Sequence, residues 1–125
     1  MKQKLISRIS ISLLAIVLIV FGIYHFQEPQ SLLVWVPTYL PGGIYWVYLV
    51  GVAFIIAGVS FIINWKVRYA GYFLAFLLVI FILTIHLPNY LNGSSLEVQH
   101  EAFVNLLKDT AIAGFAIHIA SNAER

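Results

Sequence analysis

Four long apolar runs, separated by short polar or proline-rich stretches, dominate the hydropathy pattern of this chain of 125 residues. A helix that crosses a lipid bilayer needs about 20 mainly apolar residues, and each run is of that order. The pattern therefore indicates an all-α fold: one integral membrane domain, residues 1–125, built as a four-helix bundle. We predict membrane-spanning helices at residues 5–26, 44–63, 69–87 and 104–121.

The connections between the apolar runs carry signals of their own. The first, QEPQSLLVWVPTYLPGG at residues 27–43, is too apolar for a free loop, so we predict a short segment in the membrane interface. The second, at residues 64–69, reads as a tight turn with two cations. Pro88 is expected to stop the third helix, because proline cannot continue an α-helix without losing a hydrogen bond. Residues 96–107 read as an amphipathic start to the fourth helix.

Six of the seven Lys and Arg residues lie on one side of the predicted membrane, at the two chain ends and in the second connection. Short cytoplasmic segments of membrane proteins carry such an excess of cations. We therefore predict a multi-pass protein of the cytoplasmic (inner) membrane with both termini in the cytoplasm. The first run follows basic residues as in a signal peptide, but its length predicts an uncleaved helix.

The composition excludes several classes of function. Hydrophobic residues make up 62% of the chain and charged residues 10%, against roughly 45–50% apolar residues in soluble domains, so the lipid bilayer is the main partner. The net charge of +2 is too small to suggest nucleic acid. Without cysteine, the chain carries no thiol redox chemistry. Phosphate-binding loops and dinucleotide fingerprints are absent from the sequence.

Three stripes of small residues each end in a polar group. Small residues mark contacts between membrane helices, so we expect these stripes to face a common interior. Their polar members lie toward the same predicted outer end, which indicates an outward-facing polar pocket roofed by the proline-rich connection. The stripes are Ser12, Ala15, Ile19, Gly22 and His25; Gly71, Ala75, Leu78, Ile82 and His86; and Asn105, Asp109, Ala113, Ala116 and Ala120.

The candidate ligand-binding residues are His25, His86, Asn105, Lys108 and Asp109. Asp109 has a short side chain and needs a partner inside a membrane. Lys108 projects about 100° away around the helix, so the two histidines are the candidate partners, although each could equally be an interfacial residue. Lys108 is interpreted as a surface anchor, because its long side chain can reach the interface.

Two further polar features are interpreted as structural. His118 lies on another face of the fourth helix and is expected to be a hydrogen-bonded packing residue. Two histidines and an aspartate without closely spaced ligand pairs do not predict a metal site.

Short motifs recur along nearly the whole chain: His25, Val36-Pro37 with Leu40-Pro41, Gly51 with Ala57-Gly58, Arg68, His86-Leu87-Pro88-Asn89, Asn105-Leu106-Leu107-Lys108-Asp109 and Gly114. Together they resemble the DoxX-like family of small four-helix integral membrane proteins. Named members of that family are similar to subunits of membrane oxidoreductases, including thiosulfate:quinone oxidoreductase, and to redox-maturation proteins. The resemblance thus implies an association with oxidoreductases, but it provides no catalytic residues.

Two functions remain open at this point. The first is an accessory subunit of a quinone-linked membrane redox system, which works with a membrane or periplasmic redox partner and offers a pocket for a quinone head. Because the sequence shows no resident electron carrier, we do not expect this chain to be catalytic on its own. The second is a non-enzymatic membrane protein that binds a lipid or small amphiphile, or scaffolds a partner. The sequence assigns no cofactor, but a quinone is compatible with the pocket. The oligomeric state is open.

Overall fold

The structure, a computed structural model, describes residues 2–123, apart from the side chains of Lys2 and Gln3. Every regular element among these residues is helical, which confirms the all-α prediction. A π-helical segment at Ile82–His86 joins the fourth helix to the fifth. The α-helices are α1 (Lys2–Gln27), α2 (Pro29–Leu33), α3 (Ile44–Ile63), α4 (Val67–Phe81), α5 (Leu87–Asn92) and α6 (Leu96–Ser121).

Four helical stretches are long and apolar enough to cross a membrane. Backbone N–H and C=O groups find no water inside a bilayer, and a helix satisfies them within its own segment. The short helix α2 lies in the first connection, where the interfacial segment is predicted. The four stretches are Lys4–Gln27, Ile44–Ile63, Val67–Asn92 and Leu96–Ser121.

The third of these stretches continues past Pro88, so the prediction that the helix stops there was wrong. α4, the π-helical segment and α5 form one helical stretch from Val67 to Asn92. Pro88 lies in the first turn of α5, where its missing N–H is tolerated. The π-helical turn before it has wider hydrogen-bond rings than an α-helix. A change of helix type therefore accommodates the proline.

Helix α6 starts earlier than the predicted span at residue 104. Ser95 caps it, and its Oγ accepts a hydrogen bond of 3.2 Å from the backbone N–H of Val98. Glu97 lies in the first turn, where a negative charge complements the helix dipole. The amphipathic residues 96–107 are therefore the first half of one continuous helix.

The long helices pack most extensively in two pairs, α1 with α3 and α4 with α6, whereas α3 contacts α4 over a smaller area. Glycines allow the close approach in each pair. A Cβ atom on Gly51 would lie 2.7 Å from Cβ of His25, and one on Gly71 would lie 2.7 Å from the carbonyl oxygen of Ala116. The predicted stripes of small residues thus lie at helix–helix contacts.

Two arginines bind helix ends on the side of the molecule opposite to α2. Arg8 donates hydrogen bonds to the carbonyls of Phe61 and Ile62 at the end of α3, and Arg68 donates one of 2.7 Å to Ala123 after α6. The last carbonyls of a helix have no partner within it, so the guanidinium groups satisfy them. This end of the molecule holds the start of α1 and the end of α6.

Candidate ligand-binding cavity

A cavity of about 600 Å³ lies between the helices at the end of the molecule where α2 is found. Its walls are mainly aliphatic and aromatic side chains of α3 and α4, so the pocket is less polar than the sequence predicts, whereas the connection between α1 and α3 covers it as expected. This size, with an apolar lining and few polar groups, is typical of a small-molecule site. The covering residues are Leu32, Trp35, Val36, Pro37 and Leu40, and the polar side chains are His25, Thr84, His86, Asn105, Lys108 and Asp109.

All five candidate binding residues line this cavity, although they come from three separate segments of the chain, namely α1, the π-helical segment and α6. His118 does not line it. That histidine is exposed, so it does not pack in the interior as expected, but its ring is hydrogen-bonded as predicted, with 3.4 Å between Nδ1 and Nδ2 of Asn122. Its backbone carbonyl accepts a hydrogen bond of 2.8 Å from the side chain of Asn122.

His86 and Asp109 form a hydrogen bond in the cavity wall, with 3.0 Å between His86 Nε2 and Asp109 Oδ2. The side chains are 10% and 18% exposed. Of the two histidines proposed from the sequence as partners of Asp109, the structure therefore selects His86. Lys108 also lines the cavity, but it is exposed and makes no ion pair among the described residues.

The other ring nitrogen of His86, Nδ1, has no hydrogen-bond partner among the described residues. The Nδ1 atom is also buried. An ionised carboxylate only accepts hydrogen bonds, so Nε2 carries the proton shared with Asp109, and Nδ1 of the neutral ring is an acceptor. Leaving a buried polar atom unpaired costs about 1–3 kcal/mol. The described residues therefore leave one hydrogen-bonding group of His86 unused.

The π-helical segment and the covering connection both contribute to the surroundings of His86. This histidine is the last residue of the π-helical segment, and π-helical turns are frequent at functional sites. The ring of Trp35, from the covering connection, meets the His86 ring edge-on with 5.9 Å between centroids. The sequence predicts only that residues 27–43 form an interfacial segment, and it does not predict this contact, because nothing in the pattern distinguishes Trp35 from the other aromatic residues of that segment.

His25 occupies the cavity wall from the end of α1. Its Nδ1 atom lies 2.7 Å from the carbonyl oxygen of Phe21. Because a carbonyl only accepts, Nδ1 donates, and Nε2 of the neutral ring is an acceptor. The ring also packs edge-on against Phe21 and Phe54, at centroid distances of 4.7 and 5.5 Å. These contacts hold His25 in one orientation.

The cavity does not assemble a metal site within the described part of the chain. No group of three or more His, Asp or Glu side chains close enough to hold a metal ion occurs among residues 2–123. The polar groups that are present are suited to hydrogen bonding with an organic ligand.

The four apolar helices and the cavity between them define a multi-pass helical membrane protein with an internal, mainly apolar site. The chain belongs to the family described as Domain of unknown function (DUF8561), whose model matches residues 14–103. That range contains His25 and His86, but it ends before Asn105, Lys108 and Asp109. No curated protein and no solved structure matches the chain.

Proposed function

We propose that this protein binds a membrane amphiphile with a small polar head, and that the ligand is a quinone whose head lies against His86. The unpaired, buried Nδ1 atom of His86 is the observation that carries the proposal. It lies in a wall that is otherwise largely apolar, so a ligand must combine an apolar body with a polar atom. A membrane quinone has both features.

The His86–Asp109 pair suits both redox forms of such a head. With a neutral imidazole, Nδ1 accepts a hydrogen bond from a quinol hydroxyl. With an imidazolium, Nδ1–H donates to a quinone carbonyl, and the carboxylate of Asp109, 3.0 Å from Nε2, stabilises the positive charge. The pair can therefore hold one of the two protons by which a quinol differs from its quinone, while His25 offers an acceptor for the other.

Electron transfer needs a partner in this proposal. The chain has no cysteine, and its side chains include no electron carrier, so an associated oxidoreductase must supply the electrons. The protein would act as an accessory subunit that binds the quinone. The resemblance to the DoxX-like family supports this role.

The distribution of charge supports an orientation. Arg8, Lys66 and Arg68 lie at the end opposite to the cavity, and Lys108 is the cation at the cavity end. By the positive-inside rule, the end opposite to the cavity, where both termini lie, would face the cytoplasm. The cavity would then lie in the outer half of the cytoplasmic membrane.

Tryptophan fluorescence tests quinone binding, because quinones quench this fluorescence and Trp35 contacts His86. A protein that keeps only Trp35 (Trp46→Phe, Trp65→Phe) is reconstituted in liposomes and titrated with decyl-benzoquinone. We expect saturable quenching. A protein that keeps only Trp65, which lies at the opposite end of the molecule in the turn before α4, is the control and should show only weak quenching that does not saturate.

Two histidine variants in the Trp35-only protein identify the site. His86→Leu should weaken binding about tenfold, the equivalent of one hydrogen bond of about 1.4 kcal/mol. His118→Leu, outside the cavity, should leave it unchanged. Identical quenching of Trp35 and Trp65 would refute a specific site. Saturable binding that is indifferent to His86→Leu would reject the quinone head at His86 and favour a general lipid site.

A further inference from the structure

A second, smaller groove of about 210 Å³ lies between α3 and α4, beside the main cavity. Every side chain that lines the groove is apolar. Three of them, Leu49, Ala53 and Phe73, also line the main cavity, so the two spaces are neighbours separated by at most these side chains. The full lining is Leu49, Val52, Ala53, Ile56, Ala57, Ala70 and Phe73.

The groove exists because α3 and α4 pack less closely than the helices within each pair. Alanines at three of its positions leave space that longer side chains would fill. Leu49, Ile56 and Phe73 are 58%, 60% and 52% exposed. The groove therefore opens on the outer surface of the helices, which in a bilayer is the surface that contacts lipid chains.

We infer that the gap between α3 and α4 is a lateral passage from the bilayer to the cavity, and that it holds the tail of the bound amphiphile. The inference rests on the proposed function, since it assigns the tail of a ligand whose head lies at His86. Leu49 and Ala57 are eight residues apart, about 12 Å along a helix. The groove thus takes the first part of a flexible linear tail, and the remainder extends into the lipid.

The groove selects the ligand by shape. A tail already surrounded by lipid gains little from the hydrophobic effect when it moves into a protein groove, because both surroundings are apolar. Larger side chains in the groove should therefore weaken ligand binding by steric exclusion of the tail, and not by a loss of hydrophobic contact. The open groove admits a ligand with a long linear tail. If the gap between α3 and α4 is filled, that tail has no space and the ligand binds more weakly.

The test fills the groove without touching the main cavity. Val52 and Ala70 line the groove and not the cavity, so Val52→Phe and Ala70→Phe are introduced into the Trp35-only protein. Ala111→Phe, at an exposed position of α6, is the matched control. Each variant is titrated with decyl-benzoquinone and with the same head carrying a methyl group in place of the decyl tail.

We expect the groove variants to weaken binding of the decyl compound about tenfold, the effect of an overpacked site. Binding of the methyl compound, and both titrations of the Ala111→Phe control, should remain unchanged. The methyl compound also reports that the cavity is still folded in each variant.

Two outcomes would overturn the passage. Equal weakening of both compounds would mean that the substitutions disturb the cavity itself, and no weakening of either would mean that the tail does not use the groove. In both cases the proposed function stands if His86→Leu still weakens binding of the methyl compound. If neither compound gives saturable quenching in the Trp35-only protein without groove substitutions, the proposed function is refuted, and the passage is refuted with it.

Discussion

The contact between His86 and Asp109 can be measured by a double-mutant cycle. The perturbations are His86→Leu, Asp109→Leu and the two together, because leucine removes the polar atoms and keeps an apolar side chain of moderate volume. If the 3.0 Å contact stabilises the fold, the effects of the single substitutions will not add up to that of the double substitution.

The structure sets the expected magnitude of the coupling. Hydrogen bonds between membrane helices contribute on average about 0.6 and at most about 1.7 kcal/mol. A bond to a carboxylate is about twice as strong as a neutral one, while the partial exposure of both side chains, 10% and 18%, weakens it. We therefore expect a coupling free energy of about 1–2 kcal/mol. Asp109→Leu alone should destabilise the protein by about 2 kcal/mol, because it also leaves His86 Nε2 unpaired.

The assay is reversible unfolding in mixed micelles, followed by tryptophan fluorescence. A second cycle between His118→Leu and Asp109→Leu is the control, since His118 is exposed and lies outside the cavity. Its effects should add to within about 0.3–0.5 kcal/mol, as for independent sites. Additivity of the His86 and Asp109 substitutions within the same limit would refute a stabilising hydrogen bond between them.

Three further predictions concern the fold and its orientation. Gly71→Ala should destabilise the protein by about 1–3 kcal/mol, because the new Cβ would meet α6 at 2.7 Å; Gly114→Ala, with no atom within 4 Å, should be harmless in the same unfolding assay. Arg8→Gln should cost about 1 kcal/mol by weakening the cap on α3, and unchanged stability would argue against that cap. Since the chain lacks cysteine, Ser121→Cys and Ser94→Cys are clean reporters of topology. An impermeant maleimide added outside intact cells should label only the second, and the reverse would contradict the proposed orientation.

Much of the architecture could be predicted from hydropathy. Inside a bilayer, apolar runs of about 20 residues must be helical, so four helices follow directly. The contacts of Gly51 and Gly71 also follow, because small residues at helical spacing mark close packing. For the same reason the stripes ending in His25, His86 and Asp109 pointed to one cavity.

Other features depend on geometry that no local pattern encodes. Pro88 is a helix breaker in isolation, yet it is accommodated here because it lies in the first turn of α5, directly after a π-helical turn. The choice of His86 over His25 as the partner of Asp109 depends on how α6 is rotated against that turn. Trp35 reaches His86 through an irregular connection, whose path hydropathy does not define.

The two tightly packed pairs have a consequence for biogenesis. Each pair is contiguous in sequence, with α1 and α3 before the turn at residues 64–66 and α4 and α6 after it. Membrane helices can insert first and associate afterwards, so the amino-terminal hairpin can form while the rest of the chain is still on the ribosome. His86 and Asp109 both belong to the second hairpin, so the contact between them can form within that hairpin. Its formation requires no helix of the first hairpin.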